Sequence, residues 1–291
     1  MHIEKLKYYI DLYECQNFTE TAKKNFISQA ALSQFISSLE KQFGMQFFDR
    51  NVTPIQPTSA GTCFYEECKA LYKQYLNIVE RLAKEKEEKM PPLRIAYSSQ
   101  VDIQSLIKIL PAFKEKYPEA ELQLNKIDLS ESAVYINKGL CDIVVSFSTE
   151  FLEGPNIKHK ILSEGRYLAI VGKGHELFQN DSISLEELYK YPIIMLSKDV
   201  IGNLYDKMLD RARSEGYEPL IEKTVDNIET EMFSILTEGF IGFAPESQSL
   251  SDFGDAIRLI PIEDSVHKYI VAAAYSKINT NRTLKEFLNF M

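Results

Sequence analysis

Residues 18–50, FTETAKKNFISQAALSQFISSLEKQFGMQFFDR, constrain this chain more than any other stretch. Residues 18–24 read as a short helix, with Asn17 or Thr19 placed to accept bonds from its first free N–H groups. Asn25-Phe26-Ile27 makes a turn and Ser28 suits the next cap. A second helix then runs from about 29 to 43, where Gly44 stops it. Ala31, Leu32, Phe35, Ile36 and Leu39 recur at helical spacing and predict a buried face. Gln29, Ala30, Ser33, Gln34 and Ser37 fall on the other side or its flanks. Small and amide-bearing side chains near a helix N-terminus suit the major groove of duplex DNA, so the stretch has the layout of a helix-turn-helix at about 18–37. Thr19, Ser28, Gln29, Ala30, Ser33, Gln34 and Ser37 are its candidate DNA contacts. Gln29 and Ser33, one turn apart, are the expected base readers.

The flanks extend the layout. Residues 1–17 predict a helix with Leu6, Tyr9, Ile10 and Tyr13 on one core-facing side. Residues 47–50 and 55–57 predict two short strands around a Pro-containing turn, a wing on which Arg50 is a candidate phosphate contact. Residues 1–58 therefore read as one winged helix-turn-helix domain. A long helix follows from 58 or 59 to about 89. Its Phe64, Cys68, Leu71, Tyr75, Ile78 and Leu82 alternate by four and three residues, a coiled-coil seam. The same helix of a second subunit is the simplest partner, with packing inside the chain as the alternative. Residues 59–90 are thus expected to be a linker that dimerises the chain, ended by Pro91-Pro92.

These motifs resemble those of the LysR-type transcriptional regulators. Their DNA-binding domain carries runs close to S-F-T-x-A-A, S-Q-x-A-L-S, L-E-x-x-L-G, L-F-x-R and L-T-x-A-G. Here Asn17-Phe18-Thr19 with Ala22, Ser28-Gln29-Ala30-Ala31-Leu32-Ser33, Leu39-Glu40 with Gly44, Phe47-Phe48-Asp49-Arg50 and Pro57-Thr58-Ser59-Ala60-Gly61 follow in register. Thr21 stands in place of the first alanine of its pair, Asn25 in place of a leucine and Ala30 in place of a proline. The resemblance implies a double-stranded DNA operator, a homodimer or homotetramer held by the linker helix, a small-molecule effector and action on RNA polymerase.

Beyond the prolines the pattern changes to alternating strands and helices. Strands are predicted at 93–97, 121–127 and 142–147, with helices at 102–117 and 130–138 between them, a βαβαβ run with a parallel sheet. In the first of these helices Ile103, Leu106, Ile107, Leu110 and Phe113 are expected inward. Further strands are predicted at 166–171, 191–196, 240–244, 257–260 and 269–275, helices at 202–216 and 227–238, and a closing helix at 280–290. The fold class is therefore α/β with an N-terminal all-α-type winged helix-turn-helix domain. By the resemblance, residues 91–291 form a two-lobed, type 2 periplasmic-binding-protein-like effector domain. Its first lobe would be about 93–162 with 268–291, and its second about 163–267.

Ligands in open α/β sheets bind beyond the carboxyl ends of strands. That rule selects Ser98, Ser99, Gln100, Asp128, Ser146, Phe147, Ser197 and Asn227 as candidate effector contacts. Several have a plainer use: Ser98, Ser99 or Gln100 suits a helix cap, as does Ser130, and Phe147 suits the core. Serine hydroxyls beside a helix N-terminus suit an anion, so a carboxylate effector gripped by Ser98 or Ser99 is expected.

Composition narrows the alternatives. The net charge is −9, yet the first 90 residues carry as many Lys and Arg as Asp and Glu. The rest holds the whole excess, and a neutral DNA module on an acidic partner keeps non-specific DNA binding low. No apolar run reaches the roughly 18 residues of a membrane span and no signal-peptide pattern opens the chain, so a cytoplasmic protein is expected. Cys15, Cys63, Cys68 and Cys141 form no Cys-x-x-Cys pair. The four histidines are scattered, and no phosphate loop, GxSxG elbow or metal-binding spacing occurs. No catalytic residue, metal site or cofactor is therefore predicted. Two other readings stay open: a two-lobed solute-binding protein or enzyme, and a DNA-binding regulator whose cleft is vestigial and which a partner protein controls.

Overall fold

The computed structural model describes residues 3–86, 90–151, 156–263 and 267–291. The expected end of the linker helix at 87–89 lies outside them. The chain divides into two compact units, Met1–Lys89 and Met90–Met291.

In the first unit, helices α1 (Leu6–Cys15), α2 (Phe18–Lys24) and α3 (Gln29–Phe43) pack over the two-residue strands β1 (Phe48–Asp49) and β2 (Gln56–Pro57), and α4 (Ser59–Lys86) follows. The caps follow from short polar side chains. Asn17 accepts bonds from the N–H of Thr19 (2.9 Å) and Glu20 (3.1 Å), and Ser28 from that of Ala31 (3.1 Å). Gly44 ends α3 at φ 66°, in the left-handed region that glycine favours. Tyr9, Leu12, Leu32, Ile36, Leu39, Phe47 and Phe48 form the core, each full burial stabilising by about 1.5–3 kcal/mol. Ala31 departs from expectation: it is exposed, because the helix turns its buried stripe through Leu32, Ile36 and Leu39. Gly61 is required by crowding, since a Cβ there would lie 2.1 Å from the carbonyl oxygen of Phe47.

Asn25, in its unusual position, closes a polar network. Its amide donates to Asp11 (2.8 Å) and to the carbonyl of Thr21 (3.0 Å), and its oxygen accepts from Lys7 (2.8 Å). Asp11 is buried and also bonds Lys7 and Lys24. Burial raises its carboxyl, but the bonds from Lys24, Asn25 and Lys7 outweigh it and hold the group below its ordinary range.

The linker seam splits in two. Phe64 and Cys68 pack inside the unit, Phe64 stacked on Phe47 at 4.5 Å and Cys68 buried. α1 covers this end, with Tyr65 stacked on Tyr13 at 3.9 Å and donating to Glu14 (2.9 Å). Tyr75 donates to Glu4 (2.8 Å). Leu71, Ile78 and Leu82 stay 40%, 55% and 65% exposed. Phe64, Cys68 and Tyr75 are thus occupied within the chain, because α1 and the 3-10 turn before it (Ile3–Lys5) run beside α4.

The second unit begins with β3 (Leu93–Tyr97), α5 (Gln100–Ile107), α6 (Leu110–Lys116), β4 (Leu122–Lys126), α7 (Ser132–Asn137) and β5 (Ile143–Phe147). β3 pairs in parallel with both β4 and β5, and every residue of β5 is buried. The single helix expected at 102–117 is two. Pro111, which lacks an N–H, sits in the first turn of α6, and Ile107 is exposed at the break. Ser130 caps nothing: it lies inside a 3-10 turn, Leu129–Glu131, and donates to the carbonyl of Asp199 (2.6 Å).

The long strand β6 (Ile157–Gly172) is followed by α8 (Leu185–Leu188), β7 (Ile193–Leu196), α9 (Lys198–Ile201), α10 (Asn203–Ser214), β8 (Ile221–Val225), α11 (Ile228–Glu238), β9 (Gly242–Pro245), β10 (Ile257–Ile260), β11 (Lys268–Ser276) and α12 (Arg282–Phe287). The strand expected at 166–171 therefore starts nine residues earlier, where polar side chains hid it. β6 pairs antiparallel with β11 along Ile157–Arg166 and, further on, with β9 and β10. The resulting order is β10-β6-β11-β5-β3-β4, so one sheet path runs through both lobes. Within this ladder Ser163 faces Val271 and Ile161 faces Ala272, leaving Leu162 as a bulge.

Candidate functional site

Two surfaces emerge from these elements, one in each unit. On the first unit, the outward side of α3 carries Gln29, Ala30, Gln34 and Ser37 exposed, with Ser33 half-buried. Thr19 and Ser28 are exposed beside its start, and the Thr19 hydroxyl reaches Gln29 Oε1 at 3.3 Å. All these side chains are uncharged, so the face offers hydrogen-bonding groups without committing to an ion pair. Phe26, read only as part of the turn, stands 97% exposed with a left-handed backbone (φ 55°).

Arg50 is tethered. Its guanidinium donates to Glu40 (2.7 Å) and Ser37 (3.3 Å), and lies over the Phe18 ring at 5.5 Å. The other oxygen of Glu40 accepts from the N–H of Phe47 (2.9 Å) and Phe48 (3.3 Å). One carboxylate thus joins α3, the wing and Arg50, and the arginine keeps 39% of its side chain exposed.

The second unit holds a cavity of about 410 Å³ at the carboxyl ends of its strands, within the usual size for a small-molecule site. Ser98, Ser99, Gln100, Asp128, Phe147 and Asn227 line it. Ser146 and Ser197 do not. Ser146 is fully buried and shares hydrogen bonds with the hydroxyls of Ser98 (2.7 Å) and Ser132 (3.4 Å); Ser197 donates to Asp226 (2.7 Å). Asn227 caps α11 by accepting from the N–H of Thr230 (2.8 Å).

The expected anion grip by Ser98 and Ser99 is already closed from within. Oδ2 of the buried Asp102 accepts from the N–H of Ser98 (2.9 Å), the hydroxyl of Ser98 (2.8 Å) and the N–H of Ser99 (2.7 Å). In return, Ser99 Oγ caps α5 by accepting from the N–H of Asp102 (3.3 Å). The reason is local: a carboxylate at the third position of a helix reaches back to the same donors that an incoming anion needs. Burial pushes Asp102 up to about 6, although the bonds from Ser98 and Ser99 oppose it.

Three polar groups at the cavity escaped the sequence reading. Tyr167, buried on β6, lines the cavity, and its hydroxyl has no partner among the described residues; the same holds for Asp102 Oδ1 behind the serines. Glu231 on α11 also lines it, 5% exposed. Burial alone pushes its carboxyl up to about 8. Gly242 faces it, and a Cβ there would come within 3.3 Å of the carboxyl and 2.7 Å of Ile235. The available signal was a glutamate on the same helical stripe as Met232 and Ile235, a core face interrupted by a charge.

The lobes also touch beside the cavity. Glu150, of the first lobe, lies buried against the start of α10, where Asn203 donates to it at 3.4 Å. Gly202 permits the approach: a Cβ there would meet the Glu150 carboxylate at 2.7 Å.

A winged helix-turn-helix with an exposed polar recognition helix, followed by a two-lobed α/β unit with a ligand-sized cavity, defines a DNA-binding transcription regulator with an effector-binding domain. The chain belongs to the LysR family: residues 3–62 match the bacterial regulatory helix-turn-helix protein, lysR family, and residues 86–291 match the LysR substrate binding domain. It is similar to the transcriptional regulator AlsR of Bacillus subtilis, 24% identical over 99% of this chain and 95% of that one. YnfL of Escherichia coli, a transcriptional regulator described as uncharacterized, is 25% identical over 91% of this chain and 90% of its own. Among solved structures, that of CbnR, a LysR family transcriptional regulator, superposes with a TM-score of 0.78 at 19% identity, covering 100% of this chain and 98% of that one. CbnR complexed with its target DNA gives 0.75 at the same identity and coverage. Among the described residues no helix is long and apolar enough to cross a membrane, and no cluster of His, Cys, Asp or Glu suits a metal ion.

Proposed function

We propose that this regulator acts in the cytoplasm, reads an inverted-repeat operator as a dimer or tetramer, and takes an effector in the cavity of its second unit that changes its action on RNA polymerase. The observation that carries operator reading is the outward side of α3, where Gln29, Ala30 and Gln34 stand exposed on a helix locked from behind by Leu32, Ile36 and Leu39. Gln29 and Ser33 read bases, Thr19, Ser28 and Ser37 flank them, and Arg50 holds a phosphate after loosening from Glu40. That the related CbnR has been solved with its target DNA supports this reading. Footprinting on DNA flanking its own gene tests it. Gln29→Ala weakens operator binding by roughly 1–3 kcal/mol and spares non-specific binding. Equal loss of both moves base readout to other residues.

Leu71, Ile78 and Leu82 form the subunit contact, because their exposed apolar side chains lie on one stripe of a long helix. Ile78→Asp places unpaired carboxylates in that contact, and sedimentation should then give monomers that no longer hold the operator. A dimeric variant would move the contact elsewhere. In the cavity, Ser98, Ser99, Gln100, Asp128, Phe147 and Asn227 are the proposed effector contacts.

A further inference from the structure

The walls of the cavity are largely apolar, with Leu129, Phe147, Ile194, Met208, Phe243 and Phe253 among them. Against that background the polar groups are lopsided. Asp128, Asp226, Glu229 and Glu231 line the space, and Lys126 is the one cationic side chain among the described lining residues. Glu231 is distinct within this set. It is 95% buried, and among the described residues no hydrogen bond or ion pair reaches its carboxyl. A carboxyl taken out of water with no partner is costly, and folds keep such a group where something else completes it. Tyr167 Oη and Asp102 Oδ1, both buried and without a partner among the described residues, repeat the signal in the same region. The donors that would serve an anion, the N–H groups of Ser98 and Ser99, are held by Asp102 instead.

Resting on the reading of the cavity as an effector site, we propose that the effector is an organic cation: an apolar body carrying a protonated amine or amidine that seats on Glu231. The ammonium or amidinium donates to the Glu231 carboxyl, which releases its proton to solvent as the ion pair forms in a water-poor site. The apolar body lies against methionine and phenylalanine side chains, and thioethers adapt readily to ligand shape. A carboxylate ligand would meet four lining carboxyls, and at the serines it would find N–H groups already taken by Asp102.

Matched probes test this on the full-length protein without DNA: hexylamine, hexanol and hexanoate, then benzylamine, benzyl alcohol and benzoate, by calorimetry near neutral pH. The amine of each set is expected to bind at least roughly tenfold more tightly than its alcohol or its carboxylate. Glu231→Gln should abolish that preference and leave the alcohol's affinity within about twofold, a change of under roughly 0.5 kcal/mol. Glu231→Met, which keeps the shape and drops the polar head, should do the same if the glutamine variant folds poorly. A carboxylate that binds most tightly, an amine preference that survives both variants, or no binding by any head group overturns the proposal. Operator footprinting on the same preparation separates the outcomes: an intact footprint with no probe binding overturns the cation and keeps the regulator, whereas a lost footprint counts against the regulator alone.

Discussion

Two buried carboxyls in the second unit received opposite treatment. Asp142, beside β5, has a side chain with no exposure at all and is fully engaged. The Arg94 guanidinium grips it at 3.0 Å through two nitrogens, the Arg94 N–H adds a third bond at 3.0 Å, and Asn279 a fourth at 3.0 Å. Burial raises this carboxyl, but Arg94 and Asn279 outweigh it and hold the group below its ordinary range. Glu231 is almost as buried, and among the described residues its carboxyl has no partner. The first ties β3, β5 and the C-terminal segment into one body, and the second faces a cavity. Partners supplied by the fold hold Asp142 in the scaffold, and the carboxyl without them is the one on which the proposed cation seats.

The pH dependences should run in opposite directions. Asp142 has a folded value below the roughly 3.9 of an unfolded chain, so its contribution is complete above that value and lost as the pH falls through the folded one. Glu231 has a folded value raised to about 8, well above its unfolded one. Between the two the native state keeps a proton that the unfolded chain has released, so its contribution is present in acid and lost as the pH rises through that window.

The largest expected effect comes from giving Asp142 the fate of Glu231. Arg94→Met strands a buried carboxylate and should destabilise the domain by about 3–5 kcal/mol, read as a drop in urea midpoint at constant slope. A loss below about 1 kcal/mol would mean that Asn279 and the backbone suffice, since that is the worth of an ordinary hydrogen bond. Next, Glu231→Gln should stabilise by about 1–3 kcal/mol at the alkaline end of its window, with the gain shrinking towards acid. Urea titrations at two pH values check this, and a pH-independent gain would place the cause elsewhere. The smallest effect belongs to a network with partners to spare. Asn25→Leu removes one of three side chains on Asp11 and should cost about 0.5–1.5 kcal/mol, with Lys7 and Lys24 still in place.

Much of this was legible in the chain, and the failures share a cause. The helix-turn-helix declares itself because caps, turn and stripe are all local: Asn17, Ser28 and Gly44 act within a few residues of where they stand. The reason for Asn25 in place of a leucine is not local, because its partners, Asp11 and Lys7, lie on another helix. The break at Pro111 was visible yet overridden by a continuous apolar pattern on either side. The strand at 157–165 was missed because its charged and polar side chains stand exposed and its evidence is a ladder to β11, more than a hundred residues away. The cavity was half legible. The strand-end rule found Ser98, Ser99, Asp128 and Asn227, but no rule read forwards along the chain says that Asp102 turns back onto the serines or that Glu231 is left without a partner. Those facts depend on what three dimensions place beside each carboxyl.

The paired strands that cross between the lobes have a mechanical consequence. β6 and β11 carry an antiparallel ladder from Ile157 to Arg166, interrupted only by the bulge at Leu162. A ladder of this kind resists shear along the strands and opening in the sheet plane, because either motion stretches several hydrogen bonds at once. It yields to torsion about its own long axis, and a bulge lowers that stiffness where it sits. Torsional compliance of the paired strands is therefore greatest near Leu162.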